Sequence, residues 1–393
     1  MRGNRTPGSV RGALGNRRPY RDGCVKTFQQ ENRYNLSCQP RRIRKGTRMT
    51  AYAFWNNKGG VGKSFLCFIA AAEYAHRHPD TDVYVIDLCP QANVSETLLG
   101  GYKTSWTALT QLTGATPRAT VAGYLEARLN SPFSMIPDVS PFVSVPSETN
   151  SNIPENLSLI CGDNLLEILA EAIRQTSQLS VPTDTWRKVL SWIQDLTAAL
   201  AERSGERDAI FVIDCNPSFA IYTQLALVAA DSVIVPFTAD DSSRRGIENV
   251  VALLYGVSQD RQRATYARIN FAQRAKDEGL RVPKLGTFVS NRVILYEGHA
   301  SSAFAAVTKT IQQTIDEIHR NHRNLFADPR SIPSKNFLEI PDYHSACVVA
   351  SMTGTPLHKL KAGPRTLAGQ RVQINPDPLA RYKKALSEFI DRL

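Results

Sequence analysis

The residues with the clearest chemical meaning are the nine from Asn56 to Ser64, which read Asn-Asn-Lys-Gly-Gly-Val-Gly-Lys-Ser. An apolar run at 51–55 precedes them, as expected of a buried strand, and a stretch that is apolar nearly all round follows, as expected of a buried helix. Glycines let backbone N–H groups curl around an anion, and the start of a helix adds its positive dipole end. This order of elements predicts a phosphate-binding loop.

The two lysines of this loop decide which version of the motif is present. The common pattern, G-x-x-x-x-G-K-[ST], fails at its first glycine, because that position holds Asn57. The variant K-G-G-x-G-K-[ST] fits in full from Lys58 to Ser64. We expect Lys63 to reach the outer phosphates and the Ser64 hydroxyl to ligate Mg²⁺. The alternative is a glycine turn with two solvated lysines, against which seven matched positions argue.

The variant is the deviant Walker A signature, so the sequence resembles the ParA/MinD group of ATPases. The resemblance implies that ATP and Mg²⁺ are the cofactors. It also implies that Lys58 reaches across a dimer interface to the nucleotide of a second copy. The loop residues that the resemblance assigns to the nucleotide are Gly59, Gly60, Val61, Gly62, Lys63, Ser64 and Phe65.

Two further apolar runs end in an acid, Asp87 after 83–86 and Asp214 after 209–213. A carboxylate at a strand end beside a phosphate loop can organise Mg²⁺ and water, which is the role expected of Asp87. The run that ends in Asp214 has the Walker B arrangement, in which the acid holds Mg²⁺, often through water. The alternative for Asp214 is an acid that caps the next helix.

The segment from Asp87 to Asn93 resembles the ParA motif D-x-D-P-Q-G/A-N, which distinguishes partition ATPases from their MinD relatives. In that family the second aspartate positions or activates the attacking water, and this chain has Cys89 there. A thiol is a weak hydrogen-bond acceptor with an ordinary pKa of about 8.5. We therefore expect hydrolysis that is slow or that uses another group. The alternative is that Cys89 is simply a small buried residue.

Later segments extend the resemblance to the end of the chain. Residues 229–236 match the family pattern A-D-x-V-x-x-P. Asn291, at the end of a predicted strand, and Pro341, in an Ile-Pro pair, match positions that lie near the adenine in the family. We predict one helix over 185–202 and an amphipathic helix over 376–393, where acids offset the bases and core packing is expected.

The net charge of +11 is concentrated at one end of the chain. Residues 1–49 carry 13 Lys and Arg against two acids, which accounts for the whole excess. We interpret them as a disordered basic extension and residues 50–393 as the ATPase domain, with a variable, loop-like insertion near 100–155 and one short helix at 105–114. Two accounts of the extension stay open: an arm that binds DNA through its phosphates, or residues that precede a true start at Met49.

A second basic region lies between residues 244 and 284, where nine bases face four acids. If several of these bases share a face, a DNA duplex could bind without base readout. The alternative is a solvated helix face. The candidate DNA contacts are Arg244, Arg245, Arg268, Arg274 and Arg292.

Other features exclude several classes of protein. No apolar run reaches the roughly 18 residues that a membrane span needs, and the seven cysteines form no C-x-x-C pair. We expect reduced thiols, no metal cluster and no membrane partner. The alternation of strands and helices predicts an α/β P-loop NTPase with a mostly parallel twisted sheet flanked by helices.

The resemblance implies a ParA-type ATPase for plasmid or chromosome partition, in the cytoplasm and associated with the nucleoid. Its expected partners are a second copy in an ATP-dependent homodimer, non-specific double-stranded DNA and a ParB-like centromere-binding protein. One alternative is a nucleotide-gated binding module with little hydrolysis, which Cys89 motivates. The other is a MinD-like positioning ATPase, against which the Pro90-Gln91-Ala92-Asn93 segment argues.

Overall fold

A parallel sheet with helices on both faces forms the centre of the protein. We describe it from a computed structural model, which covers residues 41–42, 47–102, 104–293, 295–296, 299–300 and 302–393. The strands are β1 (Arg41–Arg42), β2 (Arg48–Phe54), β3 (Thr81–Leu88), β4 (Leu157–Ile160), β5 (Asp208–Cys215), β6 (Ser232–Phe237), β7 (Lys284–Val293), β8 (Leu295–Tyr296), β9 (His299–Ala300), β10 (Leu338–Pro341), β11 (Gly363–Leu367) and β12 (Gln370–Ile374).

The main sheet has the strand order β10-β7-β6-β2-β5-β3-β4, and every pair along this path is parallel. Strand β1 pairs antiparallel with the start of β2, and β8–β9 and β11–β12 form two small hairpins. The predicted fold class, an α/β P-loop NTPase, is therefore confirmed. Because the central strands are covered on both faces, they consist of nearly continuous apolar runs.

The helices lie on both faces of the sheet, around two hydrophobic cores. The helical side chains of one core come from residues 66–108 and 346–390, and those of the other core come from residues 121–315. The helices are α1 (Lys63–Arg77), α2 (Asn93–Leu98), α3 (Ser105–Gly114), α4 (Val121–Asn130), α5 (Leu165–Ser177), α6 (Thr185–Leu190), α7 (Trp192–Arg203), α8 (Ile221–Ala229), α9 (Asp241–Tyr255), α10 (Arg261–Ala267), α11 (Gln273–Asp277), α12 (Ser302–Asn321), α13 (His344–Thr353) and α14 (Pro376–Ile390), with a π-helical turn, Arg268–Ala272, between α10 and α11.

The helix predicted over 185–202 is two helices, α6 and α7, so that prediction is wrong in its continuity. The break falls at Ser191, whose hydroxyl donates a hydrogen bond to the Arg187 carbonyl at 2.9 Å. Such side-chain bonds to the preceding turn compete with the helix backbone and bend it. The apolar face predicted for this stretch is buried as expected.

The C-terminal helix, α14, packs as predicted. Its inward residues Leu379, Tyr382, Leu386, Phe389 and Ile390 are all buried, and it contacts both β10 and α1. No helix in the described part of the chain is long and apolar enough to cross a membrane.

The predicted extension lies mostly outside the described residues, since 1–40 and 43–46 are not covered. Its last residues belong to the sheet, because β2 begins at Arg48 and the Met49 side chain is buried in the core. The insertion near 100–155 contains the expected short helix, α3, but is less loop-like than predicted. Helix α4 was missed, although Thr120 caps it by accepting a hydrogen bond from the Gly123 N–H at 3.2 Å.

Asn150 fastens this insertion to the core. Its buried amide donates to the carbonyls of Leu98 at 3.0 Å and Gly354 at 2.9 Å. These two hydrogen bonds join the end of α2 to the end of α13. The insertion is thereby tied to elements that precede it and follow it in the chain.

We predict that Asn150→Ala lowers the free energy of unfolding by about 1–3 kcal/mol, because two buried carbonyls lose their donor. Urea denaturation measures this, with Asn152→Ala, a change at a partly exposed neighbour, as the control expected to stay within about 0.5 kcal/mol of the parent. Equal losses in both variants would contradict the prediction.

Candidate functional site

The glycine loop lies between β2 and α1, at the carboxyl end of the sheet. Gly60 and Gly62 have φ values of 74° and 87°, in the left-handed region that favours glycine. Gly62 is also the N-cap of α1, and a Cβ there would lie 2.2 Å from Nδ2 of Asn291. A side chain at position 62 is therefore excluded by backbone conformation and by space together.

Two asparagines hold the loop in place. Asn56 donates to the Pro236 carbonyl at 2.7 Å and accepts from the Lys58 N–H at 3.1 Å. Asn57 donates to the Pro217 carbonyl at 3.1 Å and accepts from Nδ2 of Asn249 at 3.0 Å. In the sequence, Asn57 stands out only because it replaces the first glycine of the common motif. That departure was the available signal for its positioning role.

Lys63 is buried at the start of α1, and its ammonium donates to the Lys58 carbonyl at 3.1 Å. Burial lowers the pKa of Lys63, and the nearby Asp214 opposes this change. A cation on the inner side of a loop whose Gly59 and Gly60 are exposed can neutralise an anion that enters from solvent.

Asp214 and Asp87 lie side by side, because they are register partners on the neighbouring parallel strands β5 and β3. Both are fully buried. Neither oxygen of the Asp214 carboxylate has a hydrogen bond of regular geometry among the described residues, although the Ser64 and Cys67 side chains lie close to it. Burial and the neighbouring Asp87 raise the pKa of Asp214, against smaller lowering effects of the Ser64, Lys63 and Cys67 side chains.

This unsatisfied carboxylate fits a hard divalent cation. Mg²⁺ prefers oxygen ligands and commonly uses one or two protein groups together with phosphate and water. Asp214 and the Ser64 hydroxyl can supply two such ligands beside the loop. The described residues contain no cluster of three or more His, Cys, Asp or Glu suited to a metal, so a closed protein cage is absent from that part of the chain.

Asp87, in contrast, has hydrogen bonds at both oxygens. It accepts from the Cys89 N–H at 3.0 Å and from the Ser95 N–H and hydroxyl at 3.2 and 2.7 Å. The Ser95 hydroxyl in turn accepts from the Gly162 N–H at 2.9 Å. A Cβ on Gly162 would lie 2.7 Å from the Asp87 carboxyl carbon, so this junction has no room for a side chain. These contacts suit Asp87 to ordering residues 89–95, and its expected role with Mg²⁺ and water stays a prediction.

Cys89 is buried next to both acids. Burial and then the charges of Asp87 and Asp214 raise the pKa of the Cys89 thiol to about 12. The thiol is therefore protonated at neutral pH and cannot serve as a general base there.

Asn291 lies at the opposite side of the loop from the acids. Its Nδ2 donates to the Val61 carbonyl at 2.9 Å and to the Tyr343 hydroxyl at 3.2 Å, while its buried Oδ1 has no partner among the described residues. Phe65 and Tyr343 have ring centroids 5.1 Å apart. Pro341 ends β10 on the neighbouring strand. The predicted base-binding residues thus come together, and Tyr343, two residues after Pro341, was missed.

The predicted DNA contacts all have partners within the chain, and their contact with DNA stays a prediction. Arg244 and Arg245 pair with acids of α9, and Arg268 donates to the Gly256 carbonyl at 3.1 Å. Arg274 pairs with Glu278 and lies over the Trp186 ring. Arg292 lies beside the residues predicted to bind the base, where its Nε donates to the Tyr343 hydroxyl at 3.4 Å.

The Lys58 side chain lies against the segment between β6 and α9. Its ammonium forms an ion pair with Asp240 and hydrogen bonds with the hydroxyls of Thr238 and Ser243 at 3.0 and 3.2 Å. The expected reach to a second copy stays a prediction.

The unsatisfied carboxylate of Asp214 leads to a stability prediction. Its folded-state pKa is raised, so the charged form destabilises the fold, and this penalty grows as pH rises from about 4 and is complete above the folded-state pKa. We expect the free energy of unfolding of Asp214→Asn, measured by urea denaturation, to exceed that of the parent by about 1–3 kcal/mol at pH 8. The difference should shrink towards pH 4. Mg²⁺ with ATP should stabilise the parent more than the variant. A variant less stable than the parent at pH 8 without ligand would contradict the prediction.

Comparison with known proteins agrees with this geometry. The sequence profile of the AAA_31 family, described as "AAA domain", matches residues 49–265, more than half of the chain. A search of curated proteins finds no match. The solved structure of a Cyanothece McdA variant in complex with ATP aligns at a TM-score of 0.51 with 13% identity, covering 88% of this chain and 97% of that one.

A plasmid partition protein from Borrelia burgdorferi aligns at a TM-score of 0.47 with 16% identity, covering 88% of this chain and 100% of its own. At such low identity, the McdA match shows a shared fold. The family profile covers β2, the glycine loop, both acids and α9. The chain belongs to the AAA_31 family of AAA-domain proteins, and its resemblance to the ParA-type ATPases, predicted from its motifs, is confirmed.

Proposed function

We propose that this chain is a partition ATPase that binds ATP with Mg²⁺, dimerises and binds double-stranded DNA without sequence preference. A ParB-like partner would stimulate hydrolysis and release, and the protein would act in the cytoplasm on the nucleoid. The observation that carries the nucleotide part is the unsatisfied Asp214 carboxylate, buried beside the Lys63 ammonium and at the edge of the glycine loop. The partition part rests on the motif resemblance.

The loop and the residues around it have distinct proposed roles in nucleotide binding. The loop N–H groups and the start of α1 would hold the phosphates, and Lys63 would neutralise their charge. Asp214 and Ser64 would hold Mg²⁺, which when bound lowers the negative charge on the phosphates. The free Oδ1 of Asn291 would accept a hydrogen bond from the amino group of the base.

Cys89 supports slow hydrolysis. Its thiol is neutral, Asp87 is occupied by hydrogen bonds from Cys89 and Ser95, and Asp214 faces the proposed metal. None of these three described groups is therefore available to activate water. This observation favours a second candidate, a nucleotide-gated binding module that turns over very little. A MinD-like membrane cycle would be indicated by ATP-dependent binding to liposomes.

Because the arginines described above have intramolecular partners, we place the proposed DNA surface on nearby bases without an ion pair. Arg261 and Arg263 of α10 and Lys276 of α11 are exposed and have no ion pair within the described residues. They lie on one helical segment, interrupted by the π-helical turn, which also exposes Tyr266 and Ile269. Bases on an exposed helix can contact phosphates and give salt-dependent, sequence-independent binding.

Steady-state ATP turnover tests the proposed activity. We expect the full chain to hydrolyse ATP slowly, duplex DNA to raise the rate, and Lys63→Ala to abolish it. Restoring the family acid with Cys89→Asp should raise turnover by about 10²-fold, the usual contribution of a positioned base. Turnover absent in the parent but present in Cys89→Asp would favour the binding module, whereas turnover independent of Lys63 would refute the site. A protein that starts at Met49 shows whether residues 1–48 contribute.

DNA retention in rising salt tests the proposed surface. We expect Arg263→Ala to weaken binding to every duplex alike and to reduce the slope of log K against log salt by about 1. Arg274→Ala is the matched control on the same segment, because its guanidinium is engaged with Glu278 and Trp186. It should change the salt slope little. The opposite ranking would place the DNA surface elsewhere.

A further inference from the structure

The Lys58 side chain occupies a site built from the end of β6 and the start of α9. A lysine ammonium has three N–H donors, and three oxygens surround this one: Oγ1 of Thr238, Oδ2 of Asp240 and Oγ of Ser243. These residues lie at least 180 positions from Lys58 in the sequence. The ammonium is thus fully satisfied inside its own chain.

Asp240 performs two tasks with its two oxygens. Oδ1 caps α9 by accepting from the Ser243 N–H at 3.0 Å and the Ser242 hydroxyl at 2.7 Å. Oδ2 accepts from Lys58 and from the Thr238 hydroxyl at 2.7 Å. Burial would raise the pKa of Asp240, but the hydrogen bonds from Lys58, Ser242 and Thr238 lower it below the ordinary range. The carboxylate is therefore charged at every physiological pH.

Only the Lys58 side chain has to move for this contact to break. The helix cap at Oδ1 remains when Oδ2 is vacated. The loop itself is held against α9 by the hydrogen bond from Asn249 to Asn57. The two elements are in close contact, since a Cβ on Gly246 would lie 2.9 Å from Oδ1 of Asn56. The side chains of Lys58 and Asp240 are 24% and 45% exposed, so water can replace the lost partners at modest cost.

We propose that Thr238, Asp240 and Ser243 form a cis site that holds Lys58 in the monomer and competes with the nucleotide of a second copy. This inference rests on the proposed function, which supplies the trans role of Lys58. A bound triphosphate carries more negative charge than one carboxylate, so it takes the Lys58 ammonium from Asp240. A bound nucleotide with less negative charge does not. The cis site therefore raises the threshold for dimer formation and makes it depend on the charge of the bound nucleotide.

Asp240→Asn tests the site without unwinding α9. Asparagine caps helices as well as aspartate does, so the substitution removes the charge that holds Lys58 and keeps the cap. The matched control is Asp260→Asn, at the N-cap of α10, where Oδ1 accepts from the Arg263 N–H at 3.1 Å in the same way. Thermal unfolding followed by circular dichroism checks that both variants fold.

The first readout is the dimer dissociation constant of the full chain, from sedimentation velocity with Mg²⁺ and ATP or ADP. We expect Asp240→Asn to tighten the ATP dimer about 3- to 10-fold, the net size of one ordinary hydrogen bond, because this ion pair is partly exposed, and Asp260→Asn to leave it unchanged. In a Lys58→Ala background, Asp240→Asn should have no effect. A dimer equally tight in the parent and in Asp240→Asn would overturn the proposal.

The second readout needs no dimer. The nucleotide-free protein is acetylated with an amine-reactive ester, and mass spectrometry gives the labelling rate of Lys58 relative to other lysines. We expect faster labelling in Asp240→Asn than in the parent or Asp260→Asn. Unchanged labelling in a protein that does dimerise would overturn the cis site alone. Faster labelling without an ATP-dependent dimer in any variant would overturn the competition together with the proposed dimerisation.

Discussion

The constraint on which the rest of the site depends is a buried carboxylate without a regular hydrogen bond. Asp214 ends a central strand, next to a second buried acid on the neighbouring strand, and neither of its carboxylate oxygens accepts a hydrogen bond of regular geometry from the described residues. Leaving such a group unpaired opposes folding, so a sheet that retains it sacrifices stability. A buried lysine and a glycine loop with two left-handed glycines surround it. Under the proposed function, these groups and the carboxylate together form the site for phosphate and metal.

The two acids show how one position in a parallel sheet can serve two tasks. They share a register level, yet Asp87 is engaged by the Cys89 and Ser95 backbones and Asp214 is not. The environment of each carboxylate, rather than its residue type, separates a group that orders the chain from one that can bind a ligand. The same arrangement sets the protonation state of Cys89, because a buried thiol beside two acids stays protonated.

Helix α9 connects the glycine loop to the basic helical segment. Its first turn holds Lys58 through Asp240 and Ser243, its middle packs on the two loop asparagines, and its C-terminal end is capped by Arg268 from the segment that follows. A change at the loop therefore acts directly on one helix. This arrangement gives the proposed cis site a physical route to the rest of the molecule, through direct contacts.

Short-range patterns in the sequence determined the parallel α/β fold, the glycine loop, the two acids at strand ends and the buried face of the C-terminal helix. These features repeat over a few residues, so they can be recognised locally. The split of the 185–202 helix and the missed α4 depended on single side-chain hydrogen bonds, at Ser191 and Thr120, that apolar periodicity does not record.

Only the tertiary structure decided which partner each charged group meets. The five arginines predicted to contact DNA each meet a partner, some of them on other elements, and Lys58 meets acceptors from the far half of the chain. Sequence order cannot show these contacts, because strand order in the sheet brings together residues that are 160 to 230 positions apart. The residue types set the possible chemistry, and the packing of β6, α9 and the loop set which partners each residue has.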